Sequence, residues 1–216
     1  MPAAGTFRNR GFTLVELLTV MAVMGILMVL TVPAVGPLIQ SYNLNRAASL
    51  VTDEFTFARQ SALTKNTDVE VRFYQIGLTV YTPGTPFQAF RAYLPAQALA
   101  LDKISYLPGQ AIISSQANPH PDNPSTTFSP LLEYNTFSTV LSTGTEVLPG
   151  GGTTQTAYVS FRFRATGGTN LVPVTSPWYL TLYSANAPIN ASTSLPGNYV
   201  TIQVDPASGS ARTYRP

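Results

Sequence analysis

Residues Phe12 to Val32 read FTLVELLTVMAVMGILMVLTV, an apolar run of 21 residues with one charge, Glu16. A helix of that length rises about 31 Å, enough to cross a hydrocarbon core. No other stretch of the chain qualifies. After Pro33 the pattern becomes one-sided. Leu44, Ala48, Val51, Phe55, Ala58 and Ala62 recur at spacings of 4, 3, 4, 3 and 4, while Asn45, Arg46, Asp53, Arg59 and Gln60 fall mostly off that face. This predicts helix from Phe12 to about Lys65, some ~80 Å long, bent or partly unwound at Pro33. The stripe reads as a core face packed on the domain that follows.

From Asn66 the period changes to two. Val69, Val71 and Phe73 alternate with Glu70 and Arg72, as in a half-buried strand. Leu78–Tyr81, Phe87–Tyr93, Lys103–Leu107 and Gln110–Ser114 are further candidates, the last two around Pro108-Gly109. Tyr158–Arg164, Trp178–Tyr183 and Tyr199–Val204 are rich in β-branched and aromatic residues. A last strand at Ala211–Tyr214 can pair with Tyr199–Val204 across the Asp205–Gly209 turn. Ala117–Pro130, Ser142–Thr156 and Ala185–Gly197 read as surface loops. One antiparallel sheet packed on the helix is the economical α+β solution.

Composition sharpens the picture. Of 216 residues only 10% are charged, against roughly 25% in ordinary soluble domains. Such a chain suits a membrane or a buried place in an assembly. Arg8 and Arg10 lie before the apolar run, and without them 10 basic residues face 10 acidic ones. The bulk charge therefore predicts no nucleic-acid surface. By the positive-inside bias the N-terminus stays cytoplasmic and the rest is exported.

Three readings of the apolar run compete: a plain anchor, a signal peptide cut near Val32-Pro33-Ala34, and one that explains Glu16. The run is longer than the 7–15 residues of a signal-peptide core. A carboxylate in the bilayer costs roughly 2.5–3.5 kcal/mol on insertion scales, so it needs a partner. The run contains no Lys or Arg. The nearest cation is an α-amino group, which exists if the chain is cut just before Phe12.

The residues Gly11-Phe12-Thr13-Leu14-Val15-Glu16-Leu17-Leu18, behind a short basic leader, resemble the class III leader junction of type IV prepilins and type II secretion pseudopilins. The resemblance implies cleavage between Gly11 and Phe12 by prepilin peptidase, and methylation of the Phe12 amine. It implies that Glu16 serves assembly by pairing with a neighbouring subunit's terminal amine. A helix-kinking proline at Pro33 also fits. Residues 1–11 are then leader, 12–34 the transmembrane half-helix, 35–65 the amphipathic half and 66–216 a β-rich domain.

A second resemblance lies further on. Phe57-Ala58-Arg59-Gln60-Ser61-Ala62-Leu63-Thr64-Lys65-Asn66 before a strand is similar to the helix-to-sheet junction of H-type minor pseudopilins. More narrowly, Val69–Tyr74, Leu101-Asp102-Lys103, Ser160–Arg164, Thr201–Pro206 and Arg212–Pro216 resemble the prepilin-like Verru_Chthon cassette protein D family. The resemblance implies a pilin-like minor subunit anchored in the inner membrane with a periplasmic domain. Its partners would be prepilin peptidase and other pilins in a helical filament.

Catalysis has little to stand on. There is no cysteine, and the one histidine, His120, sits in the loop-like Asn118-Pro119-His120-Pro121-Asp122. No Gly-x-Ser-x-Gly elbow and no phosphate-binding glycine loop before a helix occurs. Neither a cofactor nor a metal is expected. Asp53-Glu54 reads as a solvated pair, and Asp68 with Glu70 as a solvated strand face. Asp205–Gly209 offers one carboxylate where calcium gathers six to eight oxygens, so it reads as a turn.

The alternative function is a binding module on a pilus, for DNA or a surface ligand. Arg162, Arg164, Arg212 and Arg215 are its candidate phosphate contacts. DNA-uptake minor pilins carry Gly-Arg-x-Arg, whereas this chain reads Gly209-Ser210-Ala211-Arg212 and lacks the first arginine.

Overall fold

The computed structural model describes residues 12–76, 78, 85–114, 129–132, 140–147, 153–172, 178–188 and 196–215. The side chains of 30–35, 140–147 and 153–157 lie outside that description. The chain divides into two compact units, Met1–Ile39 and Gln40–Pro216.

Helix α1 spans Leu14–Lys65. It starts two residues later than the apolar run because Thr13 caps it. It continues helical through Pro33 rather than unwinding there. A kink at Pro33 falls among the residues whose side chains are outside the description. The helix stops where Asn66 takes a left-handed φ of 49° and the Thr67 N–H donates to the Ala62 carbonyl at 3.2 Å. This is a Schellman-type end.

Ten strands follow among the described residues: β1 Val69–Tyr74, β2 Ala89–Leu94, β3 Leu99–Ala100, β4 Ser105–Tyr106, β5 Ala111–Ile113, β6 Val140–Val147, β7 Thr153–Phe163, β8 Trp178–Ser184, β9 Tyr199–Val204 and β10 Ala211–Tyr214. They make two antiparallel sheets, not the single one expected. The first runs β3-β2-β1-β7-β6, with β4 also on β2; the second runs β10-β9-β8-β5. A bridge between Phe87 and Ile113 links them. The chain is thus α+β and pilin-like, a long N-terminal helix with antiparallel sheets behind it.

The stripe from Leu44 to Ala62 is buried throughout. Phe55 is its centre. Its ring lies 5.3 Å from Phe161, 6.1 Å from Phe73 and 6.1 Å from Phe163, edge-on to the first two. Val71 and Val159 of the first sheet and Leu180, Val200 and Ile202 of the second share this core. One helix face therefore closes both sheets.

Arg59, one turn on, adds a polar fastening. Its Nε–H is shared by the carbonyls of Gly167, at 3.1 Å, and Ser208, at 2.8 Å. The two turns after β7 and β9 are thus tied to the helix and to each other, for the Thr169 N–H also donates to the Pro206 carbonyl at 2.9 Å. Gly209 makes the crossing fit. Its φ is +65°, and a Cβ there would stand 2.5 Å from the Gly167 carbonyl oxygen.

Three expectations are corrected. Ser142–Thr156, read as a loop, holds most of β6 and the start of β7, paired from Val140↔Ser160 to Val147↔Thr153. The Thr-rich alternation satisfies a ladder although no apolar face announces it. β1 is buried on both faces, so Glu70 is not solvated. Nor is the Asp53-Glu54 pair, since Asp53 is exposed but Glu54 is buried. The expected strand at Leu78–Tyr81 and the loop at 117–128 lie almost wholly outside the described residues.

Truncating Phe55 to Ala should cost about 3–5 kcal/mol, because three aromatic neighbours cannot collapse into the space. Thermal unfolding of the full chain in detergent checks this; a loss below about 1 kcal/mol would contradict the central role given to this ring.

Candidate assembly site

The N-terminal unit has one chemical feature on an apolar cylinder. Phe12, Leu14, Val15, Leu17, Leu18, Met21, Met24 and Leu27 are all more than half exposed, on every side of the helix. A helix apolar all round belongs in lipid or in a bundle of its own kind. Among the described residues no helix is long and apolar enough to cross a membrane. The expected span Phe12–Val32 includes residues 30–32, whose side chains are outside the description.

Glu16 closes a capping box with Thr13. The Thr13 N–H and hydroxyl both donate to Glu16 Oε2, at 3.2 and 3.1 Å, and the Glu16 N–H donates to Thr13 Oγ1 at 3.2 Å. The Leu17 N–H returns to the Thr13 carbonyl at 3.2 Å. Two donors at the helix start are satisfied within the chain, and the carboxylate is held beside the Phe12–Thr13 backbone. Phe12 itself precedes the helix and is exposed. Gly11 lies outside the described residues. The Thr-x-x-Glu spacing was visible in the sequence, but attention to the charge of Glu16 hid the cap.

Residues 6–32 match the prokaryotic N-terminal methylation motif. Comparison with curated proteins and with solved structures finds no match to the chain. The matched residues take in the Gly11-Phe12 junction, the capping box and the apolar run, and end before the unit that begins at Gln40. The motif supports a pilin-like subunit that prepilin peptidase processes and that assembles with other pilins.

The candidate arginines are divided between the sheets. Arg162, on β7 of the first sheet, sends Nε to Glu70 Oε2 at 3.4 Å. Glu70 also holds Arg72, Nε to Oε1 at 3.1 Å, and the Arg72 guanidinium lies 3.4 Å from the Tyr93 ring centre and 4.5 Å from that of Tyr158. Arg164 is exposed just past β7. Arg212, on β10 of the second sheet, lines a shallow cavity of about 220 Å³ with Gln203, Asp205, Ser210 and Tyr214. Arg215 is exposed beyond β10.

Asp205 is committed to its own turn. Its Oδ2 accepts the Ser208 hydroxyl at 2.7 Å and its Oδ1 the Ala207 N–H at 3.0 Å. Among the described residues no group of three or more His, Cys, Asp and Glu could hold a metal ion. His120 is outside them.

The Ser208 hydroxyl, then the Ala207 N–H, hold the Asp205 carboxyl below its ordinary 3.8. Its small contribution to stability is present above that value and fades as pH falls. In Ser208→Ala the carboxyl should titrate closer to 3.8, as read by NMR of the carboxyl carbon. An unmoved titration would show that the hydroxyl does not set it.

Proposed function

We propose that the chain is a minor, pseudopilin-like subunit of a type II secretion pseudopilus or a type IV pilus-like filament. The observation that carries this is the motif of residues 6–32 on a helix whose apolar side chains from Phe12 to Val29 are exposed among the described residues. In this reading the precursor is cut between Gly11 and Phe12, and the new Phe12 amine is methylated. Phe12–Val32 spans the inner membrane, with the leader cytoplasmic and the domain periplasmic. The H-type resemblance favours a minor subunit, and the resemblance to the Verru_Chthon cassette protein D family narrows it further. The role is structural rather than enzymatic, and Pro33 gives the helix its bend.

Assembly then follows from electrostatics. The Glu16 carboxylate in an apolar bundle attracts the nearest cation, the Phe12 amine of an adjacent subunit. The intrachain bonds go to Oε2, and in this reading Oε1 is the oxygen left to accept from the partner's amine. Pairing selects one register among the many that apolar packing allows.

A DNA-binding role draws less support. Arg162 is engaged by Glu70, and the exposed arginines are divided between the ends of two strands on different sheets. The full chain in detergent should show no retention on immobilised DNA at low salt. Salt-sensitive retention lost in the Arg212→Ala/Arg215→Ala variant would reverse this preference.

Two measurements test the main reading. Intact mass and N-terminal sequencing of protein from its native membrane should give methylated Phe12 as first residue. A start at Met1 or near Val35 would overturn it. Glu16→Gln keeps the capping box and removes the charge, while Glu16→Ala removes both. Both should be cut at Phe12 and both should fail to assemble. Assembly of the Gln variant at the wild-type level would refute charge pairing.

A further inference from the structure

Glu54 is a carboxyl on the core face of α1, spaced with Val51, Phe55 and Ala58, and only 7% exposed. Opposite it stands Asp102, in the turn after β3. Asp102 is held in place by the Ala92 N–H of β2, which donates to Oδ1 at 3.1 Å. The Glu54 and Asp102 carboxyls lie close enough to act on each other directly, and Glu54 Oε1 is enclosed with no hydrogen-bond partner. Two carboxyl groups can share a hydrogen bond only if one carries a proton. An enclosed carboxyl oxygen without a partner, set against a second carboxyl, is the arrangement that one shared proton relieves.

Among the described residues no counter-charge stands in for that proton. The residues of β2 that share the helix core are Phe90, Ala92 and Leu94. Asp102 is the charge that acts on Glu54, and Arg91 acts on Asp102 rather than on Glu54. Asp53, beside Glu54 on the helix, and Lys103, beside Asp102 in the turn, are exposed.

We propose that Glu54 and Asp102 form a proton-operated latch that ties α1 to the β2–β3 edge and loosens when the shared proton leaves. Loss of the proton leaves two carboxylates facing each other in an enclosed site, where their repulsion is poorly screened. The yielding part is the turn at 101–103, because β3 contributes only two residues to the ladder. The device is independent of the filament reading and acts in the unit Gln40–Pro216.

The direction with pH follows. Burial first, and then the Asp102 charge, push the Glu54 carboxyl from its ordinary 4.5 up to about 8. Burial also raises Asp102, against the pull of the Ala92 N–H and the bond from Glu54. The folded state thus binds more protons than the unfolded one between these limits. The latch's stabilisation is complete below the ordinary carboxylate range and is lost as pH rises through about 8.

The test is thermal unfolding of the full chain in detergent micelles between pH 5 and 9, wild type against Glu54→Gln and Asp102→Asn. Wild type should lose roughly 5–10 °C in Tm across that range relative to Glu54→Gln, whose amide keeps a donor to Asp102 without titrating. Asp102→Asn should reduce the slope. Equal slopes in wild type and Glu54→Gln would overturn the latch. Should either variant fail to fold, infrared spectra of the wild type decide the matter. A protonated-carboxyl band that disappears with a midpoint near pH 8 supports the latch, and its absence at pH 6 sinks it.

Discussion

The packing of Phe55 against Phe73, Phe161 and Phe163 is the contact from which the domain is organised. A helix can bury a stripe only about 100° wide, so it needs a surface of matching length. β1 and β7 supply it, because their inward positions carry Val69, Val71, Phe73, Phe161 and Phe163 side by side in register. The Schellman end at Asn66 then delivers the chain straight into β1, the central strand of the first sheet. Helix termination and sheet position are thus one constraint. Arg59 extends it to the second sheet by holding the turns after β7 and β9 with one N–H.

The same helix meets opposite demands at its two ends. From Leu44 onward it is one-sided and satisfied within the chain. From Phe12 to Val29 it is apolar all round, and its large apolar side chains stand exposed among the described residues. A surface of that size needs lipid or other helices as its solvent. The low charge content fits a subunit that spends its existence in one or the other. The capping box matters here, because an uncapped helix end in an apolar medium would leave backbone N–H groups without water. Thr13 and Glu16 supply that cap before any neighbour arrives.

Where the sequence was legible, a strong period or a sharp motif carried the reading. The 4-3-4-3-4 stripe placed six core residues, and the β9–β10 pairing was readable from the Asp205–Gly209 turn. The N-terminal methylation motif was readable because Gly, Phe and Glu stand at fixed offsets at the start of an apolar run. The failures share a cause, for they depend on partners distant in the chain. β6 has few apolar residues, and its strand character comes from the ladder to β7. The second sheet separates from the first because β5 pairs with β8, a relation between residues some seventy apart. Asp53 and Glu54 are neighbours in sequence, yet a rotation of 100° puts one in water and the other against Asp102.

Three glutamates are held in three different ways. Glu70 is neutralised by Arg72 and Arg162, with Arg72 also stacked on Tyr93 and Tyr158. Arginine does not lose its proton at accessible pH, so the counter-charge there is fixed. Glu54 is kept neutral by a proton rather than by a counter-charge, and a proton is exchangeable with solvent. Glu16 leans on two donors of Thr13, both of which go to Oε2. The fixed pair lies within the first sheet, the exchangeable one between helix and sheet, and the third at the capped start of α1. What separates the three is the partner: a fixed guanidinium, an exchangeable proton and the hydroxyl and N–H of a capping threonine.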